Sequence, residues 1–205
     1  MRKEQKGGDG MNGAMLANRS AADRNKTDYY RTPPEVTAAL LGFLEEHGML
    51  HPSDCIWEPA CGTGEMAVVM LKRGYTVACS DLYQTDFLCG EEPTDFLEAG
   101  MPEGVDWIIT NPPFSQAEKF IRRALEHRKP CAFLLKSQFW HARGRLALFR
   151  EHPPAYVLPL TWRPDFLWGE KSGSPTMECI WTVWYDRDYI TGYIPLERPK
   201  VEVMK

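Results

Sequence analysis

The chain has 205 residues, enough for one domain with a substantial core. Its hydrophobic share of 43% and charged share of 25% fit a folded domain in water, and a net charge of −4 argues against a generic polyanion binder. No apolar run approaches the ~18 residues of a membrane span, and the first residues lack a signal peptide's apolar centre, so a cytoplasmic protein with no membrane partner is expected.

Residues 1–28 are rich in Gly, Asn, Lys and Arg, without apolar periodicity, and read as a flexible arm ahead of a single domain at 29–205. From Pro33 the spacing Val36, Leu40, Leu41, Leu44 predicts a helix, with Thr32 as N-cap and proline in the first turn. Cys55-Ile56-Trp57 reads as a strand entering Gly62-Thr63-Gly64, followed by a helix over Glu65–Lys72 that ends at Gly74. Tyr75–Ser80 is the next strand, closed by Asp81; residues 105–110 form another, followed by a helix near Ser115–His127. Cys131–Leu135 reads as a strand and Leu146–Phe149 as part of a helix. This alternation predicts parallel crossover units with helices covering a sheet. Tyr156–Leu160 and Glu178–Tyr185 look like strands without an intervening helix, as an antiparallel pair closing one edge would.

Six cysteines (Cys55, Cys61, Cys79, Cys89, Cys131, Cys179) show no CxxC spacing, which predicts reduced, buried thiols and no metal. From Lys119 to Arg150 there are nine Lys or Arg residues and one acid, Glu126. A local basic face for phosphates and two solvated helix surfaces both fit that run.

Trp57-Glu58-Pro59-Ala60-Cys61-Gly62-Thr63-Gly64 sits where a strand turns into a helix, as a nucleotide-binding loop would. A third glycine is missing, although Ala67 can serve as the small residue, so a dinucleotide remains an option. Glu58 and Glu65 would repel a pyrophosphate and instead suit a ligand with an ammonium group, such as S-adenosylmethionine. Asp81, 17 residues beyond Gly64, can accept from both ribose hydroxyls or serve as a turn residue. Asn111-Pro112-Pro113-Phe114 closes the strand at 105–110. The prolines fix the backbone and remove two donors, so a stiff strand end offers an amide oxygen, carbonyls and a ring. That suits a clamp on a planar amino group, or an ordinary turn with a core Phe.

Glu58–Gly64, Asp81, Thr94-Asp95-Phe96-Leu97 and Asn111–Phe114, preceded by Tyr30-Arg31-Thr32-Pro33-Pro34, resemble the ordered motifs of S-adenosylmethionine-dependent DNA adenine-N6 methyltransferases. The resemblance covers roughly residues 29–137 and points to a compact, phage-type member. It implies a class I methyltransferase (Rossmann-like) α/β fold: a mostly parallel seven-stranded sheet, helices on both faces and an antiparallel C-terminal edge. It implies catalytic roles for Asn111, Pro112, Pro113 and Phe114. The cofactor would be held by Tyr30, Thr32, Glu58, Pro59, Ala60, Cys61, Gly62, Gly64, Asp81, Leu82, Asp95, Phe96 and Asn111. Asp95 would meet the adenine amino group of the cofactor, and Tyr30 and Thr32 its methionine portion.

The expected reaction moves a methyl group to adenine N6 in DNA, on a single-stranded or flipped base. RNA adenine, cytosine N4, protein glutamine, and a catalytically idle nucleic-acid-binding module are the alternatives. Residues 138–178 are the candidate substrate-recognition region, with Lys136, Gln138, Trp140, Arg143, Arg145, Trp162, Arg163, Trp168 and Lys171 as candidate nucleic-acid contacts. For Trp162 and Trp168, core packing competes with binding. The pattern is compatible with a monomer or a homodimer.

Overall fold

The computed structural model describes residues 28, 30–88, 92–166, 175–185 and 190–200. The expected arm, apart from Asp28, and the candidate contacts Trp168 and Lys171 lie outside the described residues.

Helix α1 (Pro34–Glu46) packs on one face of a sheet that begins with β1 (Cys55–Glu58). Then follow α2 (Glu65–Lys72), β2 (Thr76–Cys79), β3 (Trp107–Thr110), α3 (Ala117–Glu126) and β4 (Cys131–Lys136). Two short 3₁₀ turns lead into α4 (Leu146–Glu151), and the strands β5 (Tyr156–Pro159), β6 (Cys179–Trp184) and β7 (Gly192–Tyr193) complete the order.

The seven strands lie in the order β2-β1-β3-β4-β6-β5-β7. β2, β1, β3 and β4 pair in parallel, β6 is antiparallel to both β4 and β5, and β7 pairs in parallel with β5. The expected antiparallel pairing at the C-terminal end is therefore present. Its detail differs, because β6 inserts between β4 and β5 and the outermost strand is β7. No apolar run announced β7, which has two residues and an exposed tyrosine.

Alternation along the strands sorts two cores. Ile56, Trp107, Ile109, Ala132, Leu134, Trp181 and Val183 face α1 and α2. Trp57, Ile108, Cys131, Phe133, Leu135 and Trp184 face α3 and α4. Helices thus cover both faces of the sheet.

The N-cap of α1 is Pro33, not the expected Thr32, and no side chain caps the helix. Pro34 has no N–H for a Thr32 hydroxyl to receive, so that hydroxyl is released for another partner. The C-terminus is closed by two bonds, Gly48 N to Glu45 O and Met49 N to Leu44 O, with Gly48 in the left-handed region (φ 63°).

The connection from β1 runs to β2 on one side, while β3 lies on the other side of β1. Beyond the carboxyl ends of β1 and β3 the chain diverges, and this is where an open α/β sheet forms its ligand crevice.

Candidate active site

A cavity of about 510 Å³ opens at that switch point, within the size range of small-molecule sites. The β1 side contributes Glu58, Pro59, Ala60, Cys61 and Gly62, the β2 end contributes Asp81 and Leu82, and the β3 end contributes Asn111, Pro112 and Pro113. Tyr30, Thr32, Asp95 and Phe96 complete the walls. Every cofactor candidate from the sequence lines this cavity except Gly64.

Gly64 works on the loop instead. It is the N-cap of α2 with φ 83°, and its N–H bonds Cys61 O at 2.8 Å. A Cβ there would overlap the Phe87 ring. Gly64→Ala is expected to cost at least the left-handed backbone penalty of about 1–2 kcal/mol, lowering Tm by roughly 2–8 °C in a thermal melt. An unchanged melting curve would show that the loop relaxes without strain.

Asp81 organises the opposite wall. Its Oδ2 accepts from Gly62 N at 2.8 Å and its Oδ1 from Tyr83 N at 3.0 Å. Each carboxylate oxygen keeps a further lone pair for a ligand hydroxyl. Asp95 is exposed at the cavity and its Oδ1 also receives Leu97 N at 2.9 Å, so it is a turn carboxylate as well. Phe96 is buried against Trp57 and Phe120, with ring centroids 5.1 and 4.8 Å away, so one ring serves both core and cavity wall.

The β3 end is held from across the chain. Asn111 Nδ2 donates to Tyr30 O at 3.2 Å and to Thr32 Oγ1 at 3.0 Å. A backbone carbonyl can only accept, so this partner fixes which end of the amide is nitrogen. Asn111 Oδ1 is then left buried without a hydrogen-bond partner. Asp28 Oδ2 receives Ser115 N at 2.7 Å, and Arg31 Nε meets Glu65 Oε1 at 2.6 Å. Asp28, Tyr30, Arg31 and Thr32 therefore tie the β3 end to the glycine loop. Asp28, Ser115 and Gln116 also line the cavity, and sequence reading had not singled them out. Their only signal was adjacency to Tyr30 and Phe114.

Glu58 is buried, with one carboxylate oxygen lacking a partner. Burial holds its pKa well above the usual carboxylate range, with Cys61, Glu65 and Asp81 adding to the rise and the Ala67 N–H partly opposing it. The Cys61 thiol is pushed up as well, first by its hydrogen bond to Cys79 and then by burial. Among the described residues, no group of His, Cys, Asp and Glu is arranged to hold a metal ion, and no helix is long and apolar enough to cross a membrane.

The remaining candidates divide. Phe114 does not line the cavity; its half-buried ring lies 5.0 Å from the Tyr30 ring, beneath the Lys136 ammonium. Gln138 and Arg143 are exposed. Trp140 stacks on Phe149 at 4.2 Å, and Trp162 packs against the α1 core; each has a buried indole N–H without a partner. Arg145 turns inward, donating to Phe139 O at 3.0 Å with its guanidinium 3.9 Å above that ring. Arg163 pairs with Glu178 at 2.8 Å. The basic run is largely partnered: Arg122 meets Glu118 and Glu151, Arg123 meets Glu126, and Lys129 meets Asp106.

No protein-family model matches the chain, and no curated protein matches it in sequence. Solved structures do match in fold. A candidate RNA methyltransferase from Pyrococcus horikoshii aligns over 75% of this chain and 85% of its own, with TM-score 0.60 and 19% identity. A candidate class I S-adenosylmethionine-dependent methyltransferase from Listeria monocytogenes aligns over 92% of this chain and 74% of its own, with TM-score 0.58 and 15% identity. The modification subunit of a candidate type I restriction enzyme from Vibrio vulnificus aligns over 89% of this chain but half of its own, with TM-score 0.57 and 16% identity. The seven-stranded α/β architecture is the Rossmann-like fold of class I methyltransferases.

Proposed function

We propose that the chain is a methyltransferase acting from S-adenosylmethionine on the N6 amino group of adenine in DNA. The observation that carries this reading is the Asn111 amide. Its nitrogen is committed to Tyr30 O and Thr32 Oγ1, and its oxygen is buried with no partner. A buried, unpaired acceptor costs stability, so its retention calls for a donor that arrives with a ligand.

The cofactor fits the residues of the cavity. Glu58, with an unpartnered oxygen, suits an ammonium; Asp81 suits ribose hydroxyls; the Glu58 and Glu65 carboxylates on the lining would repel a pyrophosphate. When bound, S-adenosylmethionine supplies a methyl group on cationic sulfur: the S–C bond breaks as the N–C bond forms, sulfur keeps the electron pair, and a proton leaves the nitrogen for solvent. The chain's own part is positioning and charge stabilisation. Asn111 Oδ1 and the Pro112 carbonyl accept the two amino hydrogens, and these bonds strengthen as the nitrogen becomes positive. Pro112 and Pro113 keep that end of β3 rigid. Phe114 offers a face to the base.

A pH dependence follows from Glu58. A cationic ligand favours its ionised form, whereas burial favours the protonated form in the free protein. Cofactor affinity should therefore rise as pH increases from about 4.5 through the raised pKa, with a proton released on binding. Without ligand the sign is opposite, and the fold loses stability across the same window. Calorimetric titration in buffers of different ionisation enthalpy measures the released proton; a buffer-independent enthalpy would remove Glu58 from this role.

Incubation with labelled S-adenosylmethionine and separate DNA, RNA and protein substrates, followed by nucleoside and amino-acid analysis, tests the function. N6-methyladenine in DNA supports it. Label confined to RNA would favour a second reading, methylation of RNA adenine, to which the likeness to the Pyrococcus protein lends support.

A further inference from the structure

The glycine loop and the end of β2 bring together two thiols that methyl transfer does not use. β1 and β2 run in register with Glu58 beside Cys79, and Ser80 N continues the pairing to Glu58 O at 3.1 Å. The loop then returns to the same place. Cys61 N donates to Ser80 O at 3.1 Å, so Cys61 is held against the residue that follows Cys79. Cys79 shares a sheet face with Val77, which packs into the core under α1 and α2. The Cys61 thiol hydrogen-bonds Cys79, and both cysteines are free. Cys61 is buried in the cavity wall, whereas Cys79 is half-buried outside the cavity lining. Cys55 opens β1 at its far end, and Cys131 and Cys179 are buried in β4 and β6, so these thiols lie apart from the pair.

We propose that Cys61 and Cys79 are a reversible redox site, which closes to a disulfide under hydrogen peroxide and thereby weakens cofactor binding. The hydrogen bond to Cys79, and then burial, keep the proton on Cys61, so the half-buried Cys79 reacts first. Its thiolate attacks the peroxide O–O bond, leaving a sulfenic acid on Cys79 and hydroxide, which takes up the proton Cys79 has lost. The Cys61 sulfur then displaces the sulfenic hydroxyl, which leaves as water with the Cys61 proton as the S–S bond forms. Two thiols are oxidised, and one peroxide is reduced to two waters. The bonded sulfurs lie about 2.0 Å apart, well inside hydrogen-bond separation. The peptide unit joining Cys61 to Gly62 carries two bonds that shape the cavity wall: its carbonyl receives Gly64 N at 2.8 Å and its N–H donates to Asp81 Oδ2 at 2.8 Å. With Cys61 N tethered to Ser80 O, drawing the sulfur toward β2 turns this unit and disturbs both bonds. The inference rests on the cofactor assigned above and is independent of the methyl acceptor.

The test treats the parent protein and Cys79→Ser with hydrogen peroxide, maps cysteine linkages by mass analysis of unreduced peptides, and measures the S-adenosylmethionine Kd by equilibrium binding. The treated parent should carry a bond between Cys61 and Cys79 and a Kd raised by more than about tenfold, both reversed by dithiothreitol. Cys79→Ser should bind cofactor like the parent before treatment and keep that affinity afterwards. In a glutathione buffer, saturating cofactor should shift the parent's equilibrium toward the thiols by the same factor, because the coupling is reciprocal. Linkage of either cysteine to a different one, a bond that leaves Kd unchanged, or equal loss of affinity in Cys79→Ser overturns the site. If the reduced parent binds the cofactor and no bond forms between Cys61 and Cys79, only this inference falls. If the reduced parent binds no S-adenosylmethionine, the proposed function falls and this inference with it.

Discussion

Asn111→Ala is expected to lower kcat by about 10²–10³-fold, the range measured when one preorganised partner of a developing charge is removed. Two things are lost together. Oδ1 no longer receives an amino hydrogen, and Nδ2 no longer anchors Tyr30 O and Thr32 Oγ1. The second loss bears on cavity shape, so cofactor Kd should rise too, but by less than about tenfold because the glycine loop and Asp81 remain. Steady-state kinetics with an equilibrium binding measurement separates the two effects. A folded Asn111→Ala protein that still transfers methyl at the parent rate would remove the clamp from the mechanism.

Asp81→Ala should produce the reverse pattern, a rise in cofactor Kd on the order of 10–100-fold with a smaller change in kcat. The carboxylate supports the site from two directions. Its oxygens receive Gly62 N and Tyr83 N and keep capacity for ribose hydroxyls. Asp81→Asn retains an acceptor for one of the two backbone donors and turns an NH₂ toward the other, so its affinity should lie between parent and alanine variant. Measured binding that is indifferent to both substitutions would take the ribose away from Asp81.

Much of this architecture is legible in local sequence. The Gly62-Thr63-Gly64 turn needs a strand before it and a helix after it, and β1 and α2 sit there. The short β-branched run at 105–110, closed by Asn111 and two prolines, reads as a buried strand, and β3 (Trp107–Thr110) lies within it. What stayed hidden depends on partners far away in the chain. Thr32 looks like a cap until Pro34 denies it a donor and Asn111, 79 residues on, supplies one. Arg145 looks like a phosphate ligand until the fold places Phe139 under its guanidinium. Phe114 looks like a ring for a base to stack on, and the turn after Pro113 sets that ring beside Tyr30 and Lys136. Asp28 carries no pattern of its own and matters because Ser115 N reaches it. Side-chain assignments of this kind need the register and the turns, which residue type alone does not encode.

The insertion of β6 between β4 and β5 bears on how the chain is made. During synthesis β4 emerges with β3 already available on one side, while its other edge waits for Cys179–Trp184, more than forty residues later. Five of the six β4 residues are buried in the finished sheet, so the waiting edge is apolar and rich in unpaired backbone groups. β5 is no substitute, because it takes its own place only through β6. Closure is thus a late, long-range event with a high loop-closure cost. A nascent chain stalled before residue 179 would expose a sticky strand while already containing every residue of the proposed methyl-transfer centre.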